Sequence, residues 1–394
     1  MMENLNLFFE LLQVAIGRRS CLSIMPSEAD WHELFVLAQK QAMVGVCFSA
    51  IENLQVEQRP PREVLMQWFA LTQRIEERNK VLNKRSVEAC RYFEKQGFTA
   101  CVLKGQGNAA MYPWPLRRQS GDIDVWVMPD KDSSIIKNIE NYNPRNTKDL
   151  SVSRRVVLNW ARAQYPHEEY DLKHIHFPII PDVAMEVHFV PSRLRVPWYD
   201  YRLKKYYERE AETQMHHSVK IEGVDDSKGE LICPNIDFNI VFQLTHLFNH
   251  FLTEGVGLRQ VMDYFFLLYA AKEESGVDDV KYKKSVIAVI KQTGLYDFAR
   301  AMMWVMHEVL ELENEMMLVE MDESKGRMLL NEIIAGGNFG HYETRYWYKG
   351  MSKWKFYIAR MRRMAHFLHY YPASVLCDIP ARIKQRVWIA STRR

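Results

Sequence analysis

The hydrophobic positions change their spacing twice along the chain. From the N-terminus to about residue 97 they recur at helical intervals. Between Pro61 and Gln96, for example, Val64, Trp68, Leu71, Ile75, Leu82, Ala89 and Phe93 fall mostly on one face, and Gly97 supplies a stop. The pattern then shortens. "FTACVLKG" is an apolar run ending in glycine, as a buried strand would. "GNAAMY" allows a helical turn or two, and "DIDVWVMP" alternates up to Pro129 as a second strand. Ser133 or Ser134 is placed to cap a short helix. "DLKHIHFPII" and "DVAMEVHFVP" give two more β-like runs. In the second, Val183, Met185, Val187 and Phe189 point one way and Ala184, Glu186, His188 and Val190 the other. "HHSVKIEGV" adds an outer strand. From Pro234 onward helical spacing returns, over 236–253, 258–272, 278–293, 296–311, 324–336, 353–370 and 379–391. The fold expected is α+β: a helical region at 1–97, a compact α+β unit at 98–230 and a helical domain at 231–394.

Composition adds limits to this picture. The 394 residues are 47% hydrophobic and 26% charged, ordinary for a globular protein with a sizeable core. A net charge of +3 is too small to imply a nucleic-acid partner, but it is unevenly spread: His341–Arg394 carries twelve Lys and Arg against only Glu343 and Asp378. Cys21, Cys47, Cys90, Cys101, Cys233 and Cys377 are scattered with no C-x-x-C pair. That argues against a zinc ribbon or a disulfide framework and fits a reducing, cytoplasmic location. Glu3, Glu10 and Gln13 interrupt the apolar N-terminus, which reads as an amphipathic helix rather than a signal peptide. No apolar run reaches the roughly 18 residues that would suggest a membrane span.

The chemistry gathers in "LKGQGNAAMYPWPLRRQSGDIDVWVMP", Leu103–Pro129. Residues i and i+2 of a strand share a face with Cα atoms roughly 6.5–7 Å apart, so Asp122 and Asp124 can reach one point. Two like charges repel, and paired divalent cations are the usual occupant of such an arrangement. Oxygen ligands suit Mg²⁺, held by a few carboxylates together with phosphate oxygens. Glu186, on the polar face of a neighbouring strand beside His188, is the candidate third carboxylate. Gly105 and Gly107 let backbone N–H groups approach an anion, and the helix start after them adds a favourable dipole. Lys104, Arg117, Arg118 and Ser120 are placed to contact phosphate oxygens.

Other constellations are weaker. His246, His250 and Glu254 follow a helical spacing able to bind a transition metal, but Leu247 breaks the H-E-x-x-H pattern, and a cleft-lining role is preferred. "EGVGLRQVMD" contains G-x-G after a helix rather than a strand, so it reads as a helix–helix turn and not a dinucleotide site. Arg259 and Asp263 are spaced to pair with each other, and Arg259 is also an acceptor-side candidate. His174, His176 and His188 lie on adjacent expected strands and either border an acceptor site or serve as structural histidines. The basic, aromatic stretch "RYWYKGMSKWKFYIARMRRMAHFLHYYP" favours helix packing, with nucleic-acid binding through 341–394 as the second option.

The combination "LKG…YP…R…GDIDVWV", then "MEVHF", then "HLFNHFLTEGVGLRQVMDY" resembles an uncharacterised bacterial nucleotidyltransferase family of the DNA polymerase beta-like superfamily, over about residues 60 to 270. The resemblance implies a small mixed-sheet nucleotidyltransferase-like domain. It implies Asp122, Asp124 and Glu186 as the catalytic, metal-binding triad, with Mg²⁺ or Mn²⁺ as cofactor. Gly105 and Gln106 become the phosphate-side turn; the residues themselves add Lys104, Arg118 and Ser120 as nucleotide-side candidates and His188, His246, His250 and Arg259 as acceptor-side candidates. The activity expected is Mg²⁺-dependent transfer of a nucleoside monophosphate from an NTP to a hydroxyl acceptor, with release of pyrophosphate. The acceptor would be a small molecule, a protein side chain or RNA. The alternative is a catalytically silent nucleotide- or nucleic-acid-binding protein with the same fold.

Overall fold

The computed structural model describes residues 2–130, 133, 150–224, 229–275, 279–346 and 350–392. Four helices open the chain: Met2–Ala15, Glu28–Gln41, Val44–Asn53 and Arg62–Lys95. The second starts at a capping box in which Ser27 and Asp30 satisfy each other's backbone N–H groups. The fourth, of 34 residues, is the scaffold of the α+β unit. It buries Val64, Trp68, Ile75, Leu82 and Phe93 and ends before Gly97, whose φ of +82° only glycine adopts without strain. Asn79 on this helix donates to the carbonyls of Leu116 and Arg118 at 2.6 and 2.7 Å. Those bonds fix the loop that delivers the two aspartates.

The main sheet has four strands in the order β1 (Phe98–Val102), β2 (Ile123–Pro129), β4 (Met185–His188), β3 (His174–His176). β2 runs antiparallel to β1 and parallel to β4, and β3 is antiparallel to β4. The register sets Asp124 opposite Glu186 and His174 opposite His188. Because strand side chains alternate, Ile123, Val125 and Val127 take the opposite face of β2 and are fully buried.

Two expectations change. "HHSVKIEGV" does not extend the main sheet: Ser218–Lys220 (β5) pairs with Glu230–Ile232 (β6) in a separate two-stranded ribbon. The α+β unit also holds two helices that the β-like runs obscured, Leu150–Gln164 and Pro197–Gln214. Each pairs a narrow apolar stripe with many polar residues. The short helix expected after Ser133 or Ser134 lies outside the described residues.

The later helices follow their spacing closely: Ile236–Thr253, Leu258–Ser275, Asp279–Gln292, Tyr296–Leu310, Glu323–Gly336, Lys353–Phe367 and Asp378–Thr392, with a short helix Pro372–Leu376 added between the last two. One cluster of buried apolar side chains draws on the first helices, the sheet and these later helices. The basic tail packs less than expected. Lys353–Phe367 buries only Ala359, Arg363, Met364 and Phe367, while Trp354, Ile358, Ile383 and Val387 stay exposed. The tail is held instead by charge. Asp378, almost fully buried, receives the guanidinium groups of Arg195, Arg360 and Arg382 at 2.8–3.2 Å. The last helix thereby becomes one wall of a cavity beside the sheet.

Candidate active site

Asp122, Asp124 and Glu186 converge. One carboxylate oxygen from each lies within 4.8 Å of the others. Asp124 is buried, with Lys104 Nζ 2.9 Å from Oδ2 and His188 Nε2 2.8 Å from Oδ1. Burial alone would keep its carboxyl protonated, but the Lys104 ammonium and the His188 contact overturn this and hold it well below the usual carboxylate range. Asp122, nearer the surface, moves the other way: repulsion by Asp124, then burial, raises its carboxyl. Glu186 is flanked by His174 and His188, whose ring nitrogens stand 2.9 and 3.4 Å from Oε2; against the effect of burial they hold it low. His188 is pushed up in return, since its bonds to Asp124 and Glu186 outweigh its burial.

On one side of the carboxylates lies the glycine turn. Gly105 has φ +67° and ψ −98°, a conformation that strains any L side chain, and its nearest potential Cβ contact is the Asp122 carbonyl at 3.9 Å. The helix after it spans only Gln106–Ala109, so little dipole is available to an anion. The Gln106 side chain is buried, and neither amide atom has a hydrogen-bond partner among the described residues. Arg117 and Arg118 are committed elsewhere. Arg117 pairs with Glu52 and Glu76. Arg118, 3% exposed, makes a bidentate pair with Asp263 at 2.6 Å for both bonds, to which Tyr112 adds a hydroxyl donor at 2.7 Å. Ser120 accepts from Arg118 at 3.0 Å.

This arrangement replaces the expected Arg259–Asp263 pair. Arg259 instead donates to the Gln119 carbonyl at 2.8 Å and lies over the Phe339 ring, with its Nε unpartnered. Burial, then repulsion by Arg118, brings its guanidinium down to about 10. Arg259 lines a small pocket with Lys104, Gly105, Asp122 and Phe339, which puts it on the glycine-turn side of the carboxylates. Position 259 was legible as a candidate cation. Its side of the site was not, because only the fold shows that Asp263 is taken by Arg118.

On the other side opens a cavity of about 580 Å³, lined by Glu186, His174, Lys173, Arg195, His246 and Asp378 among others. That volume is within the range of small-ligand sites. His246 reaches both compartments, with Nε2 3.1 Å from Lys104 Nζ. Burial, and then the Lys104 charge, push its pKa well down, so the imidazole is neutral and accepts from the ammonium. His250 pairs with Glu254 at 2.9 Å. Among the described residues, these three form no metal-sized group. His176, the most exposed of the strand histidines, stands 4.0 Å from Glu186. Arg195, Asn249 and Asp378, which join the sheet side to the last helix, carried no signal in the sequence because their partners are up to 183 residues away.

A family model described as an uncharacterised nucleotidyltransferase matches residues 27–311. The chain belongs to this family. The match spans the long second to fourth helices, the sheet with all three carboxylates, and the helices carrying His246 and Arg259. It ends before the helices that close the cavity, so the tail of this nucleotidyltransferase family member lies outside the matched region. No curated protein and no solved structure matches the chain significantly.

Proposed function

We propose that the protein transfers a nucleoside monophosphate from an NTP to a hydroxyl acceptor, releasing pyrophosphate, with Mg²⁺ or Mn²⁺ as cofactor. The observation that carries this reading is the meeting of three carboxylates between a glycine turn and an open cavity. The donor set fits a divalent cation. It is oxygen-rich, and Asp122 is raised by repulsion from Asp124 that Lys104 only partly offsets and a bound cation would relieve. Asp122, Asp124 and Glu186 would hold the ions. Bound metal supplies charge neutralisation on the triphosphate and a lower pKa for the acceptor hydroxyl.

The chain's own groups divide the remaining work. Lys104 and Arg259 face the triphosphate beside Gly105, and Arg259 makes no salt bridge among the described residues that would hold it away. The acceptor enters from the large cavity. Glu186, held ionised by its histidine neighbours, orients the hydroxyl by accepting its hydrogen bond. The acceptor oxygen attacks the α-phosphorus in line as the bond to the pyrophosphate oxygen breaks, and the hydroxyl proton passes to solvent through the cavity.

One observation favours a second reading. The Lys104 ammonium already sits on Asp124 at 2.9 Å, where a metal charge would otherwise act, as in a protein that binds nucleotide without turning it over. Incubation of the purified protein and cell extract with α-labelled NTPs and Mg²⁺ separates the two. Transfer of label to an acceptor, abolished in Asp122→Asn/Asp124→Asn, supports the enzyme. NTP binding that is indifferent to metal and to the double substitution, with no transfer, supports the silent protein.

A further inference from the structure

We propose that the sheet carries a second, chemically different cation site, built from His174 Nδ1, Glu186 and His188 Nε2, which takes a borderline transition metal of the Zn²⁺ class and faces the large cavity. One ligand atom from each of these residues lies within 4.8 Å of the others. The two spacings to the shared Glu186 oxygen are close to those of ligands around one ion. Two donors about 2.0–2.1 Å from a tetrahedral Zn²⁺ stand about 3.3 Å apart. Nδ1 of His174 is 2.9 Å and Nε2 of His188 is 3.4 Å from the same Glu186 oxygen. Nδ1 of His174 thus converges on the carboxylate, which is its one close polar contact among the described residues.

The donor set decides the metal. Two imidazoles and one carboxylate suit Zn²⁺ and its neighbours, whereas Mg²⁺ prefers oxygen ligands alone. Three protein ligands with an open fourth position are also the pattern of catalytic rather than structural zinc sites. The register explains the convergence: His174 is opposite His188 across β3–β4, and Glu186 is two residues from His188 on the same face. Glu186 is thus shared by two sites. The oxygen-only group of Asp122 and Asp124 adjoins the pocket at the glycine turn through Asp122, and the nitrogen-rich group adjoins the 580 Å³ cavity through His174 and Glu186. If the cavity admits the acceptor, which rests on the transfer reading, the nitrogen-rich site is the one the acceptor meets. Cation binding itself does not depend on that reading.

Chelator-treated full-length protein titrated with Co²⁺, followed by visible absorption and equilibrium dialysis, tests the site. The expected result is one equivalent bound with the intense visible bands of low-coordinate, nitrogen-containing cobalt, undiminished by excess Mg²⁺. His174→Ala and His188→Ala should each weaken it by about 100-fold or more, since even loss of an outer partner costs about 10–100-fold. Asp122→Asn should retain the bands. Absent binding, only the pale bands of an oxygen-ligated octahedral ion, or a greater dependence on Asp122 than on His174 overturns the proposal. His174 lies near the surface of the sheet, so its variant decides the matter if His188→Ala fails to fold. Histidine-dependent Co²⁺ binding without nucleotidyl transfer leaves this site standing and removes the transfer reading; transfer without such binding does the reverse.

Discussion

Replacing Asp122 by Asn should stabilise the metal-free protein and remove its response to Mg²⁺. The asparagine keeps the side chain's size and deletes one of three negative charges whose oxygens lie within 4.8 Å. At that separation and an effective dielectric near 20, the Asp122–Asp124 repulsion is about 3.5 kcal/mol. Glu186 adds to it, while Lys104 offsets a comparable amount, as the causes of the raised Asp122 carboxyl indicate. A surplus of about 1 kcal/mol is a reasonable expectation once these opposing charges are set against each other. At about 2 cal/mol/K of unfolding entropy per residue, that corresponds to a Tm increase of about 1 °C for a chain of this length. The metal response is larger and opposite. A wild-type site with Mg²⁺ at 100 times its Kd gains about 2.7 kcal/mol, or about 3 °C. Differential scanning fluorimetry of both proteins, with chelator and with a Mg²⁺ series, measures both quantities. A lower metal-free Tm for Asp122→Asn, or equal Mg²⁺ gains in the two proteins, would refute the charge argument.

Lys104→Met should destabilise the metal-free protein by about 3–5 kcal/mol, because it strips a buried carboxylate of its cation, and Mg²⁺ should restore more of the loss than it adds to wild type. Chemical denaturation with and without Mg²⁺ checks this, and loss without rescue would mean that Lys104 is purely structural. Arg118→Ala should cost a similar 3–5 kcal/mol by orphaning Asp263, whereas Arg259→Ala should leave stability within about 1 kcal/mol and weaken NTP binding, read by calorimetry. His246 gives a pH signature. Its folded pKa lies below the unfolded value near 6.5, so the unfolded state binds the extra proton first. Stability should therefore fall as pH drops below about 6.5, and His246→Gln should flatten that part of the Tm–pH profile.

Local pattern carried the elements that depend on it. The helix Ile236–Thr253 coincides with its apolar spacing, and the alternation of "DVAMEVHF" placed Glu186 and His188 on one face. Asp122 and Asp124 could be read as a pair because a strand's two-residue period is fixed by backbone geometry. What the sequence could not contain was partner choice at long range. Arg259 and Asp263 have ideal helical spacing, yet a bidentate guanidinium from Arg118, 145 residues before Asp263, fits that carboxylate better. Likewise "HHSVKIEGV" has strand character, but only the fold shows that β6 rather than the main sheet pairs with it.

The displaced arginine shows how structural and functional demands on this site interlock. Asp263 is buried and must be neutralised; Arg118 pairs with it directly and Tyr112 adds a hydrogen bond. Arg259 is then left buried against a carbonyl and an aromatic face, with no salt bridge among the described residues and only the more distant charges of Asp263 and Asp122 to offset it. An uncompensated buried cation is costly unless an anion completes it. At Asp122 the imbalance is reversed: repulsion by Asp124, burial and Glu186 raise its carboxyl more than Lys104 lowers it. A metal–triphosphate complex brings positive charge to the second position and negative charge to the first in a single ligand. The two partly met charges, which line one small pocket with Gly105, are therefore complementary to one substrate.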